Sequence, residues 1–295
     1  MEITHQRFTE ERALFGSENL ILKDCEFDQG ESPMKETRGL KLEGTTMKWK
    51  YPLWYSSDIE VSGGLMTETA RAGIWYTDNI RMTGTTIEAP KTFRRSRGIS
   101  LTDVRMTNAS ETLWMCSDVK LRNCYAKGDY LLLNSTDLTV DGLELDGNYA
   151  FDGARNAQIK NSRLLTKDAF WNSENVTVSD SYISGEYFGW NSRNLTLIRC
   201  TIESLQGLCY IDNLRMIDCR LEGTSLAFEY SSVEAEISSS VDSVLNPKSG
   251  IIRAGSIGEL ILERDRVDPG KTVIVCSDIR KTSEKPDWGQ WLGER

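Results

Sequence analysis

The feature of this sequence that most constrains its fold is a repeat of about 19 residues. Eleven positions, spaced 19 to 21 residues apart, all carry Asn, Asp or Gly, the residue types that tolerate a left-handed turn. These turn positions are Asn19, Gly39, Asp58, Asn79, Gly98, Asp118, Asp137, Asn156, Asn175, Asn194 and Asn213. The first and third residues after every turn position are apolar, from Leu20 and Leu22 to Leu214 and Met216. Each repeat therefore predicts a short strand that follows a tight turn and points alternate side chains inward.

A repeat of this length and pattern is typical of a β-solenoid. Helical-hairpin repeats are longer and space their apolar residues by about 3.6 positions, so they do not fit. Leucine-rich repeats have a similar length but need the pattern LxxLxLxxN, which no repeat here supplies. Since connections between parallel strands are almost always right-handed, we predict an all-β, single-stranded right-handed parallel β-helix of about 11–13 coils.

The repeat becomes irregular after Glu222. We therefore expect one β-helix domain over residues 1–262, in which residues 1–16 form the N-terminal cap and first coil. Residues 263–295 are expected to form a C-terminal tail that caps the helix or packs on it, because an open coil would expose strand edges.

Two polar rows are expected to join the coils. Ser or Thr recurs two residues before the turn position, and the Asn and Asp turn residues can pass hydrogen bonds from coil to coil. Cys25, Cys124, Cys200 and Cys219 share one register, which we interpret as packing of reduced thiols in the core.

Composition excludes several classes of function. The net charge of −9 argues against nucleic acid as a partner. His5 is the only histidine and no CxxC pair occurs, so we predict no metal site, no cofactor and no histidine-based triad. No apolar run is long enough to cross a bilayer and the N-terminus lacks a secretory signal, so we expect a cytoplasmic protein without a membrane partner.

Aromatic residues recur four residues before the turn position, where alternation places side chains outside. This set, the outer row, contains Phe15, Lys35, Trp54, Trp75, Arg94, Trp114, Leu133, Asp152, Trp171, Trp190 and Cys209. Flat rings at such intervals can cover the apolar faces of sugar rings. We therefore hypothesise that an oligosaccharide or a small polar ligand binds at Trp54, Trp75, Arg94, Trp114, Trp171 and Trp190.

The pattern of the outer row can also be interpreted without any ligand. Arg94 falls between Trp75 and Trp114 on consecutive coils, so a cation–π stack would stabilise the solenoid by itself. A structural or self-association module is the alternative, with a homo-oligomer formed through the outer row or the C-terminal tail.

Catalysis is a weaker alternative. A glycosidase needs two carboxyl groups roughly 5 Å or 6.5–9.5 Å apart, and coils about 4.8 Å apart permit both spacings. Elimination from a uronic acid would need a basic side chain instead. Asp129, Asp152, Lys167 and Asp168 are the candidates, and any enzyme activity would be that of a polysaccharide lyase or hydrolase on acidic sugars.

Several segments resemble one known bacterial family, among them FTEERALFG, KWKYPLWY, ARAGIWYT, APKTFRRS and SGEYFGWNS. It is the domain-of-unknown-function family numbered three-seven-three-seven, and the resemblance covers roughly residues 7 to 275. The resemblance implies a pectin-lyase-like right-handed β-helix. It implies no activity, and no catalytic residue carries over from it.

Overall fold

The computed structural model describes residues 1–292. It confirms the predicted all-β right-handed parallel β-helix, with about 15 turns of about 19 residues. The coils form two compact units, Met1–Phe151 and a second unit that begins at Asp152. In both units each strand pairs in parallel with its equivalent in the next coil.

The first unit contains two long parallel ladders. The strands after the turn positions are Glu2–Thr4, Ile21–Lys23, Lys41–Glu43, Ser57–Ser62, Asp78–Thr83, Arg97–Thr102, Ser117–Arg122 and Thr136–Asp141. The second ladder comprises Arg7–Phe8, Glu26–Phe27, Thr46–Met47, Leu65–Met66, Thr86–Ile87, Arg105–Met106, Tyr125–Lys127 and Glu144–Asp146. Two short strands, Ile74–Trp75 and Phe93–Arg94, pair at the outer row, and Glu68–Ala70 forms a 3₁₀ turn.

The second unit continues the same pattern and then becomes irregular. Its first ladder comprises Arg155–Lys160, Glu174–Ser179, Arg193–Ile198, Asp212–Ser225, Ser232–Ile237, Ser249–Arg253 and Thr272–Val275. Beside it lie Arg163–Leu165, Tyr182–Gly185 and Thr201–Leu205, which also pairs with the long strand. A further ladder joins Ser240–Leu245, Ser256–Ile261 and Ile279–Ser283. Pro269–Lys271 is a 3₁₀ turn and Trp288–Leu292 a short helix.

The coil number corrects the sequence-based expectation of 11–13. The additional coils lie beyond Glu222. Strands Thr272–Val275 and Ile279–Ser283 pair with strands of the solenoid, although they lie in the segment expected to be a tail. The last three residues of that segment lie outside the described residues. The later coils, which the sequence indicates only as degenerate repeats at Ser232 and Glu259, were undercounted because their lengths vary: Ser232 pairs with Ser249, whereas Gly250 pairs with Thr272.

The turn positions and the inward rows explain why the sequence folds this way. All eleven turn residues have φ between 51° and 69°, the left-handed conformation that Asn, Asp and Gly accept at least cost. The apolar residues that follow them are buried, as with Ile80 and Met82 at 0% and 1% exposure. In the second unit the amide of Asn194 donates to Asn175 and accepts from Asn213, both at 2.8 Å. Core packing and stacked amides therefore both fix the register.

No helix within residues 1–292 has the length and apolar character needed to cross a membrane.

Candidate functional site

An unusual backbone holds the outer row. In several coils both neighbours of a row member are left-handed: Leu113 and Met115, which flank Trp114, have φ of 60° and 52°. At Trp54, Trp75 and Arg94 only the residue that follows is left-handed. This conformation costs an ordinary residue roughly 1–2 kcal/mol. Hydrogen bonds to the next coil compensate, since the Met115 N–H donates to the Leu133 carbonyl at 2.9 Å. Such bonds recur along the solenoid and place successive row members directly above one another.

In the first unit the outer row forms a stack of side chains. The indoles of Trp54 and Trp75 are 5.2 Å apart between ring centroids, with planes only 7° apart. The Arg94 guanidinium carbon follows, 4.6 Å from the Trp75 centroid and 4.5 Å from that of Trp114. Glu111 accepts a hydrogen bond from the guanidinium at 3.2 Å. Each face that lies inside the stack is therefore covered by a neighbouring side chain.

The indole N–H groups of the stack are also engaged. Each donates to a backbone carbonyl of the following coil: Trp54 to Ala72 at 2.5 Å, Trp75 to Lys91 at 2.8 Å and Trp114 to Tyr130 at 2.7 Å. The stack consequently presents ring edges to solvent, and its contacts stabilise adjoining coils. A sugar cannot lie flat on an indole face that another side chain already covers.

The outer row of the second unit is less regular. Trp171 donates its indole N–H to the Tyr187 carbonyl at 2.6 Å, and its ring is tilted by 46° against Trp190 at 5.9 Å between centroids. Trp190 stacks on Tyr210 at 4.9 Å and 18°. Asp152 accepts a hydrogen bond from the Asn172 amide at 3.0 Å. In this unit the stacking therefore continues from Trp190 to Tyr210, which follows Cys209, the last residue of the predicted outer row.

Three of the four catalytic candidates, Asp129, Asp152 and Lys167, contact a residue of the neighbouring coil. Asp129 belongs to the first unit and accepts the Asn148 N–H at 2.8 Å. In the second unit Lys167 forms an ion pair with Glu186 at 3.1 Å, and Asp168 is buried at 2% exposure. Nowhere in the described chain do three or more His, Cys, Asp or Glu side chains cluster as metal ligands would.

A small cavity opens beside the stack in the first unit, and we call it the Trp54–Trp75 niche. It has a volume of about 270 Å³ and is lined by Tyr51, Trp54, Arg71, Ala72, Trp75, Pro90 and Lys91. Its cause is one small side chain. Seven residues before the turn position the chain carries Tyr51, Ala72 and Lys91 on successive coils, so Ala72 leaves a gap between two larger neighbours.

Two cations border the niche. The Lys91 ammonium is 3.0 Å from Glu111, which it shares with Arg94. The Arg71 side chain is exposed and makes no ion pair or hydrogen bond anywhere in residues 1–292. The niche thus combines aromatic and apolar walls with a guanidinium that is available to an anion.

Comparison with known proteins settles the family. A family model described as a protein of unknown function, DUF3737, matches residues 1–275. The chain belongs to this family. The resemblance to this family, inferred from segments such as FTEERALFG and KWKYPLWY, is therefore confirmed. No curated protein matches the chain. Among solved structures it is similar to the A-module of the mannuronan C-5 epimerase AlgE4 of Azotobacter vinelandii, at 8% identity and a TM-score of 0.25, over 96% of this chain and 87% of that one.

In this DUF3737 protein the sequence indicated the outer row but not the niche. Arg71 lies outside the row, and its importance depends on the gap at Ala72. The signal was present in the alignment of coils, where Ala72 falls between the larger Tyr51 and Lys91. It would have been found by asking which positions of each row are unusually small.

Proposed function

We propose that this protein binds an acidic sugar, one ring of which occupies the Trp54–Trp75 niche. The observation that supports the proposal is the lining of the niche, which joins Tyr51, Pro90 and two indole edges to the uncompensated Arg71 guanidinium. Sugar rings place apolar C–H groups against aromatic side chains, while a guanidinium binds a carboxylate in a planar, two-pronged geometry.

The size and charge of the niche narrow the ligand class. Its volume of about 270 Å³ is below the range of roughly 300–1,000 Å³ for drug-sized ligands, so it suits a single ring better than a chain. Lys91 is partly neutralised by Glu111, which leaves Arg71 as the main positive charge. A ligand with one negative charge fits this balance.

A second function is supported by the stack itself. Because Trp75, Arg94 and Trp114 cover one another without a ligand, the outer row also suits a structural module whose coils must stay in register. In that case the niche is only the consequence of a small residue at position 72.

The decisive experiment observes the niche directly. The protein is labelled with 5-fluorotryptophan, and the ¹⁹F resonance of Trp54 is assigned with a Trp54→Phe variant. Sodium glucuronate is titrated, with glucose as the neutral sugar of matching shape. We expect a saturable shift with glucuronate alone, a weaker response in Arg71→Gln, and none in Ala72→Tyr, which fills the gap with the residue that its row already carries at Tyr51.

The matched control is Arg122→Gln, because Arg122 is an exposed arginine of the same unit that also makes no ion pair among the described residues. Its titration should equal that of the unaltered protein. A Trp54 resonance that does not move with glucuronate, or that moves equally in Ala72→Tyr, would refute binding at the niche and leave the structural function.

A further inference from the structure

The second unit contains a larger pocket at the end of its aromatic row, which we call the tyrosine pocket. It has a volume of about 460 Å³ and is lined by Asn191, Tyr210, Asp212, Tyr230, Lys248, Arg266, Val267, Asp268 and Lys271. Tyr210 and Tyr230 lie 5.3 Å apart between centroids with planes at 55°. Because these rings are tilted rather than stacked, they form a wedge that leaves ring surface open to the pocket.

Three cations surround this wedge. Lys248 forms an ion pair with Asp212 at 3.3 Å. Arg266 lies 3.5 Å from Glu263 and donates to the Tyr230 hydroxyl at 3.4 Å. Lys271 makes no ion pair or side-chain hydrogen bond within the described part of the chain. It belongs to the 3₁₀ turn Pro269–Lys271, so its backbone is held in place.

One cation of the lining has no acidic partner. Lys248 pairs with Asp212 and Arg266 with Glu263, and Asp268 accepts the Gly270 N–H, whereas Lys271 makes no ion pair within residues 1–292. An unpaired ammonium at a pocket attracts an anion even in a chain with a net charge of −9.

Buried groups fix Arg266 in this position. Asn246 is fully buried and Glu263 is 7% exposed. The Asn246 amide donates to the Glu263 carboxylate at 2.7 Å, and the Glu263 backbone N–H donates to the Asn246 side-chain oxygen at 2.8 Å. Burying a carboxylate costs free energy that an apolar pair would avoid. The pair directs the carboxylate toward Arg266 and thereby holds the guanidinium at the pocket.

We propose that the tyrosine pocket is a second binding site, for a sugar with one carboxylate. The carboxylate pairs with Lys271 and Arg266, the ring packs in the wedge of Tyr210 and Tyr230, and Asn191 at the rim meets the ring hydroxyls. One unpaired ammonium, that of Lys271, suits a monoanion better than a dianion such as phosphate. This inference does not depend on the niche, because the two sites belong to different units.

The test uses the same labelled protein with a different reporter. Trp190 stacks on Tyr210, so its ¹⁹F resonance, assigned with Trp190→Phe, reports on the tyrosine pocket. Sodium glucuronate, glucose and inorganic phosphate are titrated separately. We expect glucuronate alone to give a saturable shift, and Lys271→Gln to weaken it about tenfold, the loss of one charged contact.

The matched control is Arg264→Gln, since Arg264 is exposed in the same loop, makes no ion pair among the described residues and does not line the pocket. Its affinity should be unchanged. An equal response to glucose, tighter binding of phosphate, or full affinity in Lys271→Gln would each overturn the inference. A response of Trp54 without one of Trp190 would refute binding at the tyrosine pocket and support binding at the niche. A response of Trp190 without one of Trp54 would support the tyrosine pocket and refute the niche.

Discussion

The guanidinium carbon of Arg94 lies 4.6 Å from the centroid of the Trp75 indole ring, directly over its face. The opposite side of the guanidinium meets Trp114 at 4.5 Å. The Nε atom of Arg94 is buried without a hydrogen-bond partner, so ring contacts and the ion pair with Glu111 hold this side chain. An arginine placed between two indoles joins three coils of the first unit.

We predict that Arg94→Ala lowers the free energy of unfolding by about 2 kcal/mol, because two partly buried cation–π contacts of roughly 0.5–2 kcal/mol each are lost. Arg94→Lys should recover only part of this, since an ammonium cannot pack flat against both rings. Urea denaturation followed by tryptophan emission measures the change.

The control for this variant is the neighbouring Arg95→Ala. Arg95 is exposed and makes no ion pair in the described chain, so its replacement should alter stability by less than about 0.5 kcal/mol. Equal effects of the two substitutions would contradict a stabilising role for the stack.

The sequence was sufficient to predict the order of the stack but not its orientation. A repeat of constant length places equivalent residues above one another, so the neighbours of Arg94 follow from counting. Whether the indoles show faces or edges depends on side-chain torsions. Those are set by the hydrogen bond from the Trp75 ring to the Lys91 carbonyl, and no repeat pattern specifies this bond.

Left-handed backbone could be predicted only at residue types that favour it, such as Asn, Asp and Gly. The left-handed turns at Asn194 and its equivalents followed from composition. The left-handed Leu113 and Phe151, with φ of 60° and 61°, did not, because large apolar residues avoid this region unless the surrounding structure imposes it. Inter-coil hydrogen bonds and core burial impose it here, and both are tertiary effects.

We predict that Asn194→Ala destabilises the protein by about 2 kcal/mol. The substitution removes one donated and one accepted amide hydrogen bond, each worth roughly 0.5–1.5 kcal/mol, and it leaves an alanine at φ 54°. Asn194→Gly loses the same hydrogen bonds but tolerates the turn, so its loss should be smaller. Urea midpoints of the two variants separate the two causes.

Arg193→Ala is the control for this pair, because Arg193 is exposed in the adjacent position and its side chain makes no hydrogen bond or ion pair among the described residues. Its midpoint should match that of the unaltered protein. A glycine variant less stable than the alanine variant would contradict the proposed strain at the turn.

We predict that alkaline pH destabilises the protein through its buried thiols. Burial raises the pKa of Cys116 from 9.0 to about 12 and that of Cys200 from 9.0 to about 11. The unfolded chain therefore loses these protons first as the pH rises. The contribution of these protonated thiols to the free energy of unfolding is therefore complete below pH 9. It is lost progressively as the pH rises from 9 through the native pKa values.

Cys116→Ser isolates one contribution, and serine is the residue at the equivalent positions Ser96 and Ser135. At pH 10 each such thiol should account for about 1 kcal/mol of lost stability. The variant should therefore lose about 1 kcal/mol less than the unaltered protein between pH 7.5 and pH 10, as measured from urea midpoints. Identical losses would show that Cys116 titrates normally.

The final prediction concerns thiol reactivity. Cys25, Cys116, Cys124, Cys200, Cys209 and Cys219 are free and buried, whereas Cys276 is partly exposed. Only a thiolate attacks a disulfide reagent, and burial keeps the inner thiols out of contact with it. At pH 8 an aromatic disulfide reagent should modify about one thiol rapidly, and guanidinium chloride should expose all seven. Cys276→Ser should abolish the rapid phase, and rapid modification that persists in this variant would mean that the coils open far more readily than their packing implies.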